Sequence, residues 1–172
     1  AADRALAELQ DARKREGTRL AEAMLQASKD IDKIVDQVED ALPEIIAEQQ
    51  SRIAQRLRDA LMAASPEGFA QISGTELSAR IAQETAVFGL RTDVAEELTR
   101  LRSHVEELAH ILTGDTSGVK GSLGKRLDFL FQEMNREANT LGSKAAAMTV
   151  TQAAIDLKLL IEQMREQAQN IE

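Results

Sequence analysis

At 172 residues and 43% hydrophobic content the chain can bury a core, but with no Trp, no Tyr and only four Phe (Phe69, Phe88, Phe129, Phe131) that core should consist of aliphatic helix seams. The absence of Cys excludes a disulfide frame, a thiolate metal site and a cysteine nucleophile. The net charge of −8 is shared, with 11 basic and 16 acidic residues over 1–86 and 10 and 13 over 87–172, so there is no basic tail and any phosphate-binding surface must be a local patch working against the overall field.

Charge alone therefore argues against nucleic acid. No apolar run approaches the roughly 18 residues of a membrane helix, and no charged-then-apolar leader opens the chain. A cytoplasmic protein without membrane contact is expected. The start at Ala1, inside a helical pattern, is expected of a piece cut from a longer protein, with an N-terminal domain missing.

The first periodic segment runs from about Asp3 to Met62, with Ile31, Val35, Val38, Leu42 and Ile45 in 3 and 4 spacing like a coiled-coil seam. Pro43 removes one backbone donor and predicts a bend, or a restart near Asp40. The segment should end at Ala64-Ser65-Pro66-Glu67-Gly68. A second long helix, N-capped by Thr75, is predicted to reach about Leu112, with Val94, Leu98, Leu101, Val105, Leu108 and Leu112 in heptad order, and to pair antiparallel with the first. The stretch from Thr113 to Gly124 holds four Gly and reads as a mobile loop without phosphate-loop spacing. A third helix spans about Ser122 to Leu141 and is stopped by Gly142. A fourth, capped by Thr149 or Thr151, carries Val150, Ala154, Leu157, Ile161, Met164, Ala168 and Ile171 to the C-terminus. The expected fold is all-α: a long antiparallel helical hairpin plus two further helices, divided into an arm over 1–86 and a C-terminal helical domain over 87–172.

Two polar stripes stand out. In the second helix Asp93, Glu97, Arg100 and His104 share one face beside the apolar seam. A solvated salt-bridge stripe with Glu97 paired to Arg100 accounts for them, and so does a carboxylate pair with a His for a hard cation. In the third helix Asp128, Gln132, Arg136 and Asn139 line one face, with Glu133, Glu137, Thr140 and Lys144 beside them. Asn and Thr are poor helix formers, so the choice there lies between a buried polar network at a helix interface and a phosphate- and metal-handling surface. Packing these two helices side by side would set Asp93, Glu97 and His104 opposite Asp128, Gln132, Glu133, Arg136 and Glu137. No Ser, His and carboxylate arrangement supports a triad hydrolase, and the aromatics needed for base stacking are missing.

The run Leu127-Asp128-Phe129, Gln132-Glu133-Met134-Asn135-Arg136-Glu137 and Asn139-Thr140-Leu141-Gly142-Ser143-Lys144 closely resembles the C-terminal signature of the YicC/YloC family of bacterial proteins. Asp93-Val94-Ala95-Glu96-Glu97-Leu98-Thr99-Arg100-Leu101 with Ser103-His104, the end from Leu160 to Glu172, and Arg15-Glu16-Gly17 resemble further blocks of it. The resemblance implies a metal-dependent endoribonuclease, with Mn2+ or Mg2+ as cofactor, that acts on bacterial RNA as a homo-oligomer, a hexamer in the family. RNA-degradation proteins are further possible partners, and no DNA is expected. The family's N-terminal domain is absent from this sequence, and Ala145-Ala146-Ala147 stands where the family often has polar residues.

Carried onto matching positions, the resemblance offers Glu97, His104, Glu133 and Glu137 for catalysis. It offers Arg100, Lys125, Arg126, Arg136, Asn139 and Lys144 for RNA, and Asp93, Glu97 and Asp128 for metal. A carboxylate-held ion would lower the pKa of a bound water or polarise the scissile phosphate, with Arg100, Arg136 and Lys144 holding phosphates. The alternative is a non-catalytic helical oligomerisation or scaffold module, which the acidic charge and long seams favour.

Overall fold

The computed structural model describes residues 2–64, 73–87, 90–114, 123–145 and 147–169, and its account of side chains leaves out those of 2 and 84–93. Among the described residues five helices follow one another: α1 (Ala2–Ala64), α2 (Gly74–Val87), α3 (Leu90–Thr113), α4 (Leu123–Ser143) and α5 (Met148–Ala168). The fold is all-α, and among the described residues there is no strand. The stretch 115–122, Phe69, Phe88, the Asp93 side chain and Ile171 lie outside the described residues.

Helices α1, α3, α4 and α5 form a ring: α1 packs on α3, α3 on α4, α4 on α5 and α5 on α1, with no diagonal contact among the described residues. This is a four-helix bundle, the arrangement that seams of 3 and 4 spacing favour. Its core holds the predicted seam residues Ile31, Val35, Val38, Val94, Leu98, Leu101, Val105, Leu108, Val150, Ala154, Leu157, Ile161, Met164 and Ala168, together with Met24, Leu127, Phe131, Met134, Ala138 and Leu141. Each fully buried Leu, Ile or Met contributes on the order of 1.5–3 kcal/mol relative to exposure. One core thus joins residues from Met24 to Ala168, on both sides of the 86/87 division expected from sequence.

Two antiparallel pairs fix the register. Between α3 and α4, Glu97 meets Lys144, Arg100 meets Glu137 and Glu107 meets Arg126. Between α4 and α5, Arg165 meets Asp128, while at the other end the backbone of Gly142 lies against Ala154. Across α1 and α3, one guanidinium acts as a staple: Arg102 binds Asp36 at 2.5 Å and Glu39 at 2.7 Å, with Asp32 at 4.0 Å. The hydrogen bonds to Glu39 and Asp36 hold the Arg102 pKa well above its ordinary value.

Several sequence expectations change in detail. Pro43 lies inside one unbroken helix, α1, so the helix does not restart there. Pro43 and Glu39 are both on the exposed face of α1, and the Leu42 and Ile45 contacts to the core hold the helix on either side. The expected second long helix is described as α2 and α3, and residues 88–89 between them lie outside the described residues. Helix α2 touches only α1 among the described residues, with Ser78, Ile81 and Ala82 beside Ala47, Gln50, Ser51, Ala54 and Arg58 around one hollow.

The caps also differ. Ser73, not Thr75, caps α2, its Oγ accepting the Glu76 backbone N–H at 3.2 Å, because a cap must precede the first turn. Helix α5 starts after Ala147 with no side-chain cap, and Thr151 turns its hydroxyl back to the Ala147 carbonyl at 3.3 Å. Gly142 does not stop α4, which continues to Ser143. A Cβ on Gly142 would stand 3.2 Å from the Ala154 Cβ, so glycine serves close approach of α4 and α5 there.

Candidate active site

The α3 and α4 groove gathers four charged side chains into one network. Glu97 sits one position before seam residue Leu98, which turns its carboxylate toward α4, and it is 2% exposed. Its Oε1 accepts from the Arg100 guanidinium at 2.7 Å and from Lys144 Nζ at 3.2 Å. Arg100 Nε also reaches Glu137 Oε2 at 2.9 Å, and Glu137 is 7% exposed. Arg100 itself is 43% exposed, with Glu96 at 3.6 Å on its outer side. The hydrogen bond to Glu137 raises the Arg100 pKa above its ordinary value, helped by the charges of Glu137, Glu97 and Glu96.

Two buried carboxylates are thus balanced by two cations that reach solvent. Burying either acid without them would cost several kcal/mol. The balance is incomplete at one atom: Glu97 Oε2 is buried and has no hydrogen-bond partner among the described residues. A shallow hollow lined by Ala95, Glu96, Thr99 and Arg100 opens beside the network. The groove continues along the antiparallel register, where His104 and Glu133, both half-buried, stand level one turn further on, before Glu107 and Arg126 at 3.5 Å.

A family description, endoribonuclease YicC-like, C-terminal, matches residues 38–172. The chain belongs to this family. It is 40% identical over 160 residues to the probable endoribonuclease YicC of Haemophilus influenzae, an alignment covering 93% of this chain and 50% of that protein. It is 30% identical over 172 residues to the probable endoribonuclease YicC of Clostridioides difficile, covering 100% of this chain and 54% of that protein. The chain spans about half the length of these curated relatives.

Within this YicC-like domain the predicted site residues divide into groups. Glu97, Arg100, Glu137 and Lys144 converge, with His104, Glu133 and Arg126 in the same groove. Asp128 instead turns to α5, where it accepts from Arg165 Nε at 3.0 Å and from Gln132 at 2.7 Å. Arg136 is mostly exposed, 3.8 Å from Glu133, and Lys125 and Asn139 are exposed. Arg165 and Arg102 were not singled out from sequence, although Arg165 lies in the C-terminal block that carries the resemblance. An Arg one step off a seam was the available signal.

The divalent ion that the family resemblance implies can be tested against these donors. Among the described residues no three His, Asp or Glu side chains are grouped so that they could hold one metal ion. Glu97 is joined to Glu137 through Arg100, and Asp128 is nine residues further back along α4, a rise of about 13 Å. A divalent ion holds its oxygen ligands at about 2.0–2.6 Å, so this arrangement does not bring Glu97 and Asp128 to one ion. Glu97 and Glu137 do come together, but Arg100 stands between them. The described donors therefore do not form a ligand set.

Proposed function

We propose that the full-length protein is a metal-dependent endoribonuclease, cutting phosphodiester bonds within bacterial RNA, and that this chain supplies the groove where the cut is made. Family membership and the names of the relatives support the reaction class. The observation that carries the location is the buried Glu97 carboxylate, neutralised at Oε1 by Arg100 and Lys144, two cations that both reach solvent. Fixed by these carboxylates, Arg100 turns its solvent side to the phosphate, and Glu133, which solvent reaches in the same groove, takes the proton of an attacking hydroxyl. His104, in the next layer of the groove with Glu133, is the proton donor for the leaving oxygen. A divalent ion, Mn2+ or Mg2+, is part of the proposal as a requirement of the whole protein and would supply charge neutralisation at the phosphate.

Assembly into a homo-oligomer belongs to the same reading. Phe129, Ile155 and Leu159 are large apolar side chains that the bundle leaves exposed, as a contact between copies would require. Among the described residues no helix is long and apolar enough to cross a membrane.

The test is cleavage of internally labelled RNA by the full-length protein, with chelation and Mn2+ or Mg2+ add-back. Glu97→Gln and Glu137→Gln should each abolish cleavage with the oligomer intact, because an amide keeps the shape and loses the charge. Unchanged cleavage in both, or loss of assembly instead, would return the network to a scaffold role.

A further inference from the structure

Many cations of the described residues are held by acids, among them Arg4 by Glu8, Lys33 by Asp30, Arg52 by Glu48, Arg100 by Glu97 and Glu137, Arg102 by Asp36 and Glu39, Arg126 by Glu107, Lys144 by Glu97 and Arg165 by Asp128. The densest run of cations is in the N-terminal third of α1. Residues 13–19 read Arg-Lys-Arg-Glu-Gly-Thr-Arg, four basic groups to one acidic, in a chain with 21 basic and 29 acidic residues. Lys14, Arg15 and Arg19 are exposed and have no ion-pair partner among the described residues. All of residues 3–16 are exposed, so this part of α1 extends past the core, which begins at Met24.

Gly17 lies in the middle of this cluster. A glycine in a helix interior costs roughly 0.5–1 kcal/mol relative to Ala, and here, beyond its chain neighbours and the helix's own backbone, nothing described comes within 4 Å of where a Cβ would stand. Nothing in the fold requires it. A flat helix surface ringed by long cations fits a backbone that must come close, and the only nearby acids are Asp11, Glu16 and Glu22.

We propose that Lys14, Arg15 and Arg19 around Gly17 form a sugar-phosphate docking site for RNA, remote from the α3 and α4 groove. This rests on the endoribonuclease reading and adds to it where the substrate is gripped. Charge complementarity selects the ligand: unpaired cations gain by releasing the counterions of a polyanion, and an overall acidic chain needs such a patch to hold one. Arg15 and Arg19 are four apart, so their side chains leave one face together and can follow one strand, with Lys14 reaching it from the adjoining face.

The experiment uses full-length protein and a dye-labelled single-stranded RNA, with binding followed by fluorescence anisotropy across a salt series in chelator, which stops cleavage, and cleavage then followed with Mn2+ restored. Lys14→Gln/Arg15→Gln/Arg19→Gln is compared with Arg56→Gln/Arg58→Gln, which also removes exposed cations from α1. The expected result is a Kd raised roughly tenfold or more and a salt slope lowered by about two in the triple variant alone, with the oligomer mass and the cleavage rate at saturating RNA unchanged. Equal losses in both variants would reduce the effect to net charge and overturn the site. A changed oligomer mass would make the patch a protein interface and overturn it too. Wild-type binding and cleavage with an unaffected triple variant would sink this site alone, whereas a wild type that neither binds nor cuts RNA would sink the endoribonuclease reading with it.

Discussion

Lys144, just past the end of α4, places its Nζ 3.2 Å from Oε1 of Glu97, a buried carboxylate 47 positions earlier in the chain. Removing the amine leaves Arg100 as the one remaining cation on that oxygen. Lys144→Met should lower the unfolding free energy in urea by about 1–2 kcal/mol. In the double variant with Glu97→Gln the losses should fall short of additive, because the carboxylate that Lys144 serves is no longer charged. Strict additivity would mean that the two side chains do not interact.

Gly142 is a packing residue. With Ala154 3.2 Å from the position of its Cβ, Gly142→Leu should force α4 and α5 apart and cost about 1–3 kcal/mol, read from a denaturant midpoint. Gly142→Ala should change stability much less, since its gain in helix propensity offsets a slight overlap. A Leu variant as stable as wild type would show that the two helices do not meet there.

The α1 and α3 staple gives a pH dependence. Burial raises the Asp32 pKa above its ordinary 3.8, a shift that Arg102 opposes and Asp36 and Glu106 reinforce. The folded state then holds this proton more tightly than the unfolded state, so Asp32 lowers stability as pH rises from 3.8 through the raised value. Asp32→Asn should therefore stabilise slightly at pH 7, and the gain should vanish in thermal melts below pH 3.8. Arg102→Gln should do the opposite at pH 7 and cost about 1 kcal/mol, because Asp36 and Glu39 lose their shared partner.

Pro43 should be a reserve of stability. In an unbroken helix its missing N–H and ring crowding are a local cost, so Pro43→Ala should raise the unfolding free energy by about 1–3 kcal/mol. An unchanged or lowered midpoint in urea would mean that the chain uses a bend there.

The helices and their buried faces were legible in the sequence because periodicity is a local property. Leu98, Leu101, Val105 and Leu108 on α3, and Leu157, Ile161 and Met164 on α5, are buried as their 3 and 4 spacing required. The candidate residues were legible too, through polar stripes beside those seams and blocks resembling a known family. Partners across helices were not. Periodicity says which face of a helix is buried but not which helix covers it, so only the packed bundle could turn Asp128 to Arg165 on α5 and Glu97 to Lys144 on α4. The same limit explains Gly142 and Pro43. Taken locally, both residues interrupt helices; in the bundle, contact with Ala154 gives the glycine a place inside α4, and core contacts on either side carry α1 through the proline.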